Sequence, residues 1–174
     1  MKILLISLLL LSLEANNDTT LKTKQEKCRN DIIGYWLSPK DKHSGRVNII
    51  EFIKKGGKYF AYNVIFMDML PSQKDENNQK YSLRDREILG SVYIYDLQKN
   101  TKNSYTNGRY YDFNNGKIFQ LKARLECNKL KLLISVDNIG MLGISKVYEY
   151  LNPNDIEFYI KGKKPHIDFS GVEQ

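Results

Sequence analysis

A chain of 174 residues, 41% hydrophobic and 27% charged, with 11 Gly and 4 Pro, has the length of one domain and enough apolar content for a packed core. These figures exclude a multidomain enzyme with separate cofactor and substrate lobes, a collagen-like repeat and a disordered chain. The net charge of +7 points to an anionic partner: nucleic acid, a membrane surface or an acidic ligand.

The first residues bear on the compartment. Lys2 precedes an unbroken apolar run over 3–13, then Glu14-Ala15-Asn16, with Leu13 and Ala15 at the −3 and −1 sites of a signal-peptidase cut. The run is too short to span a bilayer and apolar on every face, so it reads as a secretory signal cleaved near Ala15. No Cys follows it to carry a lipid anchor, and no later stretch has the length and apolarity of a membrane span. A periplasmic or secreted protein is expected. Its charge survives the cut, because Lys2 and Glu14 cancel. Lys far outnumbers Arg, and there is no Arg-rich helix or finger spacing, so a nucleic-acid partner is not expected.

The two cysteines, Cys28 and Cys127, stand 99 residues apart. In an oxidising compartment such a pair is more often bridged than free. The competing readings, a reactive thiol or a metal site, find no CxxC, and the only histidines, His43 and His166, lie in loop-like sequence.

Residues 16–30 are polar, an arm leading to Cys28. Beyond them hydrophobicity alternates with period two, punctuated by turn signals. A first strand is expected over 32–37 and a second over 46–54. Gly56-Gly57 favours a tight hairpin into a third over 58–66. Residues 67–83 form the longest irregular stretch, of the kind that supplies lids and binding loops; Met67-Asp68-Met69-Leu70 reads as a hydrophobic lid or as the end of strand three. A fourth strand over 87–97 alternates Val92 and Ile94 with Tyr93 and Tyr95. A fifth over 108–113 and a sixth over 117–127 flank Asn114-Asn115-Gly116. The sixth has the cleanest pattern, with Phe119, Leu121, Ala123 and Leu125 on one face and Gln120, Lys122, Arg124 and Glu126 on the other. The seventh carries Leu130, Leu132, Ile134 and Val136 in phase, and the eighth runs over 144–151.

Eight strands in order, joined mostly by short turns, fit an all-β, eight-stranded antiparallel up-and-down barrel, since closure removes exposed edges. A sandwich is the alternative, for which only the 67–83 connection offers a crossover. The expected organisation is a signal peptide at 1–15, an arm at 16–30, the barrel at 31–152 and a C-terminal tail at 153–174, with room there for one short strand or helix.

Gly34-Tyr35-Trp36 on the first strand is similar to the Gly-x-Trp signature of lipocalins. The polar loop 75–78 leading into Leu83-Arg84-Asp85-Arg86, then Leu89-Gly90, Gly108-Arg109-Tyr110-Tyr111-Asp112 with Gly116-Lys117, Leu142-Gly143 and an aromatic last strand extend the likeness. Over about residues 31–151 the chain resembles a family of small exported bacterial proteins of unknown function with a lipocalin-like (calycin) barrel. The resemblance implies a fold and an exported location, and no activity. It departs at Tyr148-Glu149-Tyr150, where the family carries Trp followed by a basic residue. The basic side chain that closes over the first-strand Trp in lipocalins then has to come from elsewhere, with Arg124 and Lys146 as candidates.

Catalysis calls for a nucleophile, base and orienting group, or a metal set, and neither pattern appears. Asp75, Asn77 and Gln79 briefly imitate a calcium loop, but Lys80 stands where Gly is required and Arg86 where the terminal Glu belongs. Arg84, Asp85, Arg86 and Glu87 read as a solvated salt-bridging edge, with Arg84 or Arg86 a candidate for an anionic ligand at the mouth. Twelve Tyr and seven Phe provide apolar faces that also carry hydroxyls, suited to a cavity for a partly polar molecule. The candidate ligand-lining residues are Phe52, Tyr62, Arg84, Tyr93, Tyr111, Phe119, Leu121, Leu132 and Ile134. Gly34 and Trp36 are assigned structural roles, Trp36 as a plug at the closed end. No cofactor or metal is expected. The leading reading is a non-enzymatic lipocalin-like protein that carries or senses a small apolar or amphipathic, fatty-acid-like ligand. The alternative is a solid barrel acting as a protein or envelope interaction module through its basic surface. An enzyme using Arg84, Asp85 and Tyr111 ranks third.

Overall fold

The computed structural model describes residues 28–42, 44–68, 73–137, 140–160, 162 and 164–172. The signal, most of the arm, His43 and Met69-Leu70 lie outside them. Eight strands, β1 (Gly34–Leu37), β2 (Asn48–Lys55), β3 (Lys58–Phe66), β4 (Val92–Lys99), β5 (Ser104–Asp112), β6 (Lys117–Glu126), β7 (Lys129–Ser135) and β8 (Gly143–Leu151), are followed by one helix, α1 (Pro153–Ile160). Each strand pairs antiparallel with the next, and β8 returns to β1, closing the eight-stranded up-and-down barrel that the alternation implies.

Two strand starts differ from the sequence reading by four residues or more. The fourth strand starts at Val92 instead of 87, because 87–91 fold into a turn in which the Ser91 hydroxyl donates to the Glu87 carbonyl at 2.5 Å. The fifth begins at Ser104, four residues early, because polar Ser104 and Thr106 face outward while Tyr105 packs inside against Tyr59.

Cross-strand partners share a face of the sheet. The inner set includes Trp36 opposite Ile50 and Tyr150, Phe52 opposite Ala61, Leu121 opposite Ile134, Ala123 opposite Leu132 and Leu125 opposite Leu130. Trp36, Ile50, Phe52, Leu130 and Leu132 have no exposed surface, so the lower barrel is filled by side chains. The residues ahead of β1 seal that end: Ile32 is fully buried, its carbonyl accepts from Trp36 Nε1 at 2.8 Å, and Asp31 accepts from the Tyr59 hydroxyl at 2.9 Å. A Cys28–Cys127 disulfide ties this segment to the β6–β7 turn.

The outer wall of β2, β3 and β4 is also covered. After α1, the C-terminal segment sets Lys164 on Glu51 at 2.6 Å and Phe169 edge-on to Phe60 at 5.5 Å. It pairs with the start of β4, where the Val92 amide donates to the Asp168 carbonyl at 2.9 Å. Gly90, at φ +83°, permits this crossing, since a Cβ there would stand 2.2 Å from the His166 carbonyl oxygen.

Candidate functional site

The open end of the barrel is framed by the β1–β2, β3–β4, β5–β6 and β7–β8 connections. The β3–β4 loop is anchored on the outside of β5 by a buried polar network. Asp75, with no exposed surface, accepts from the Tyr111 hydroxyl at 2.7 Å, from Asn78 Nδ2 at 2.7 Å and from Arg86 Nε at 2.9 Å. Burial first, and then the hydrogen bond to Asp75, raise the Tyr111 pKa well above the ordinary phenol value. The start of the loop is clamped to β2: the Met67 amide donates to the Val47 carbonyl at 2.8 Å, and Arg46 makes a fork of bonds to Asp68 at 2.7 and 2.9 Å. Met67 thus lies one residue past the end of β3, held to the residue ahead of β2.

Three tyrosines meet below the mouth. Tyr93 stands edge-on to Tyr110 at 5.5 Å between ring centres and is hydrogen-bonded to Tyr148 across the barrel. Tyr93 reaches the interior through a bulge: Ala61 pairs with Ile94 but Tyr62 pairs with Val92, so one extra residue of β4 enters between them. Burial is the main cause that holds all three phenols well above their ordinary pKa.

Lys146 rises beside this cluster on the inner face of β8, opposite Leu132. Its Nζ lies 3.4 Å from the Tyr110 hydroxyl and 3.7 Å from Asp41 of the β1–β2 connection. Two hollows join at this lysine. A pocket of about 100 Å³ reaches down to Asn48, Asn63, Tyr93 and Tyr148. A cleft of about 720 Å³ runs outward between residues 39–42 and the apolar side chains of Phe119, Ile134, Val136, Leu142 and Ile144. Tyr110, Asp41 and Lys146 line both.

The nine expected ligand-lining residues divide into three groups. Tyr93 lines the small pocket, and Phe119 and Ile134 line the cleft. Phe52, Leu121 and Leu132 are interior but packed into the filled core, at 1% exposure or less. Tyr62, Tyr111 and Arg84 are elsewhere, and here the sequence reading is corrected. Tyr62 is on the outer face, hydrogen-bonded to Glu51 beneath Lys164, and Tyr111 is on the outer face beneath the β3–β4 loop. Arg84 stays in that loop, donating to the Asn78 carbonyl at 2.8 Å. Arg86 is no part of a solvated edge, being buried against Asp75 at 2.8 Å. The basic group of the closed end is neither Arg124, which is exposed beside Glu126, nor Lys146 at the mouth. It is Arg29, over the ring of Tyr150. Gly34, at φ +120°, lies beneath both side chains. Lys146, Tyr110 and Tyr148 were the missed site residues; the alternation of Ile144, Lys146 and Tyr148 on the last strand was the available signal.

A closed eight-stranded barrel, plugged by a first-strand Trp and open at the other end over an aromatic pocket, defines a lipocalin-like protein, and such barrels are suited to holding one small ligand. The chain is similar to protein HP1028 from the human pathogen Helicobacter pylori, described as belonging to the lipocalin family, with 26% identity and a TM-score of 0.73 over 83% of this chain and 97% of that one. Residues 34–149 match the family model described as uncharacterized protein conserved in bacteria (DUF2147), and the chain belongs to that family. No curated protein matches it.

Proposed function

We propose that this protein is an exported, non-catalytic binding protein that carries or senses one small amphipathic molecule, fatty-acid-like in having an apolar chain and an anionic head. The observation that carries the reading is the inward-facing Lys146 at the junction of the two hollows. Its contacts of 3.4 and 3.7 Å are long for an ammonium, which has three donors to satisfy. A carboxylate at that point would gain a charge-assisted bond from Lys146 and a second from the Tyr110 hydroxyl. The chain would lie along Phe119, Ile134 and Ile144, in a cleft whose 720 Å³ falls within the range of small-molecule sites. The disulfide between Cys28 and Cys127 is compatible with an oxidising compartment, which supports the exported location.

Native mass spectrometry of protein purified from its host, with displacement of a fluorescent fatty acid, tests the reading. One bound molecule per chain is expected, and Lys146→Met should weaken a carboxylate ligand by about tenfold or more while sparing the alcohol of equal chain length. Absence of any bound species together with absence of displacement overturns it.

A further inference from the structure

The described residues of the β7–β8 connection, 136–137 and 140–142, present apolar side chains to solvent. Asp137 accepts backbone N–H groups from Gly140, from Met141 at 3.0 Å and from Leu142 at 2.8 Å, and the Val136 amide closes the loop on the Leu142 carbonyl at 3.0 Å. The first of the causes holding the Asp137 carboxyl below its ordinary pKa is the Leu142 amide. Thus anchored, Met141 is 80% exposed and Leu142 67%. Val136, Ile144 and Val147, more than 40% exposed, continue the patch along the rim of the cleft. Isolated exposed apolar residues are ordinary, but a contiguous group held outward at one end of a barrel marks an interaction surface.

The charges around the patch identify the partner. Lys40 and Lys42 line the same cleft from the β1–β2 connection, and Lys122 lies close enough to act on Asp137. Of the nearby acids among the described residues only Asp41 is paired with a cation, Lys146 at 3.7 Å; Asp137, held by three amides, and Asp112, held by Asn115 Nδ2 at 2.7 Å, keep their charge, so Lys40, Lys42 and Lys122 leave this rim with a small positive excess. An apolar tip ringed by lysines is complementary to an anionic bilayer, whose acyl region takes the former and whose head groups take the latter. We infer that the mouth of the barrel docks on anionic phospholipid bilayers through Met141 and Leu142, with Lys40, Lys42 and Lys122 at the head-group level. This does not depend on which molecule the cleft holds. Docking in that orientation would turn the cleft toward the lipid surface.

Trp36 is the only tryptophan and is fully buried at the opposite end, so a Leu142→Trp variant of the full chain reports on the loop. With phosphatidylglycerol vesicles its emission should shift to the blue and be quenched by brominated acyl chains, whereas the unsubstituted protein should show neither change. Zwitterionic vesicles or 0.5 M salt should reduce the response several-fold, and Met141→Asp added to the reporter should weaken it about tenfold or more. An apolar leader could hold the chain on vesicles without bringing residue 142 into lipid, so co-sedimentation without quenching overturns the inference. Equal quenching on zwitterionic vesicles overturns it too. A blue shift that grows with protein concentration in the absence of vesicles overturns it in favour of a second copy of this chain on the patch.

Discussion

The guanidinium carbon of Arg29 stands 3.8 Å above the ring of Tyr150, and that ring meets Trp36 edge-on at 5.6 Å. A cation, a tyrosine and a tryptophan are thus stacked in series from surface to core, and the cation comes from the segment ahead of β1. Cation–aromatic contacts at partly exposed sites contribute about 0.5–1 kcal/mol. Arg29→Ala should therefore lower unfolding stability by about 1 kcal/mol in urea. Trp36→Phe should cost more, about 2–3 kcal/mol, because it leaves the buried Ile32 carbonyl without its donor as well as removing ring volume. An equal effect of the two variants would contradict the series arrangement.

The Cys28–Cys127 bridge spans a sequence separation of 99, closing a loop that holds β1 to β6 and leaves β7 and β8 outside. In the chain-entropy account a loop of that length stabilises by about 4–5 kcal/mol. The Cys28→Ser, Cys127→Ser double variant should fall by roughly that amount in denaturant midpoint experiments, at unchanged far-ultraviolet circular dichroism in water if the remaining stability suffices. A loss below about 1 kcal/mol would place the contribution elsewhere.

Arg86 and Asp75 are the most deeply buried ion pair among the described residues, at 9% and 0% side-chain exposure. Removing one partner of such a pair strands the other charge and costs about 3–5 kcal/mol. Asp75→Ala should therefore destabilise much more than Asp85→Ala, whose carboxylate is 93% exposed against Lys74. Hydrogen exchange in the Asp75→Ala protein should accelerate over residues 73–91 before it does in β6 and β7.

Much of the barrel was legible because one face of β6 and β7 is wet: Leu121, Ala123 and Leu125 are buried while Arg124 and Glu126 are exposed, so period two separates core from solvent directly. The same logic fails on β3, where six consecutive residues, Tyr59 to Val64, are buried. The C-terminal segment covers their outer face, and nothing local in the sequence announces it. Tyr62 was misplaced for that reason, and Tyr111 because the β3–β4 loop folds back over β5. A bulge then shifts the phase of β4 at Tyr93, which alternation alone does not register. Lys146 was visible as an inward position but belonged to a residue type expected outside, and cations on inner faces are informative because they are costly there.

Tyr93, Tyr110 and Tyr148 make the alkaline limit of the barrel predictable. Their folded-state pKa values are all raised, chiefly by burial, while in the unfolded chain each ionises near 10. The folded state therefore holds protons that the unfolded state releases. Their contribution to stability is complete below pH 10 and declines as pH rises above it, by about 1.4 kcal/mol per pH unit for each residue. Denaturation midpoints should be flat from pH 7 to 9 and fall steeply beyond 10. Absorbance at 295 nm should rise in two stages, the second of them cooperative as the barrel opens. Tyr93→Phe should make the alkaline decline shallower by one residue's share, despite costing stability at neutral pH through the lost bond to Tyr148. Titration of all twelve tyrosines near pH 10 with the circular dichroism unchanged would show that the three phenols are reached by water in the folded protein, and would remove the aromatic pocket beneath Lys146 from the site.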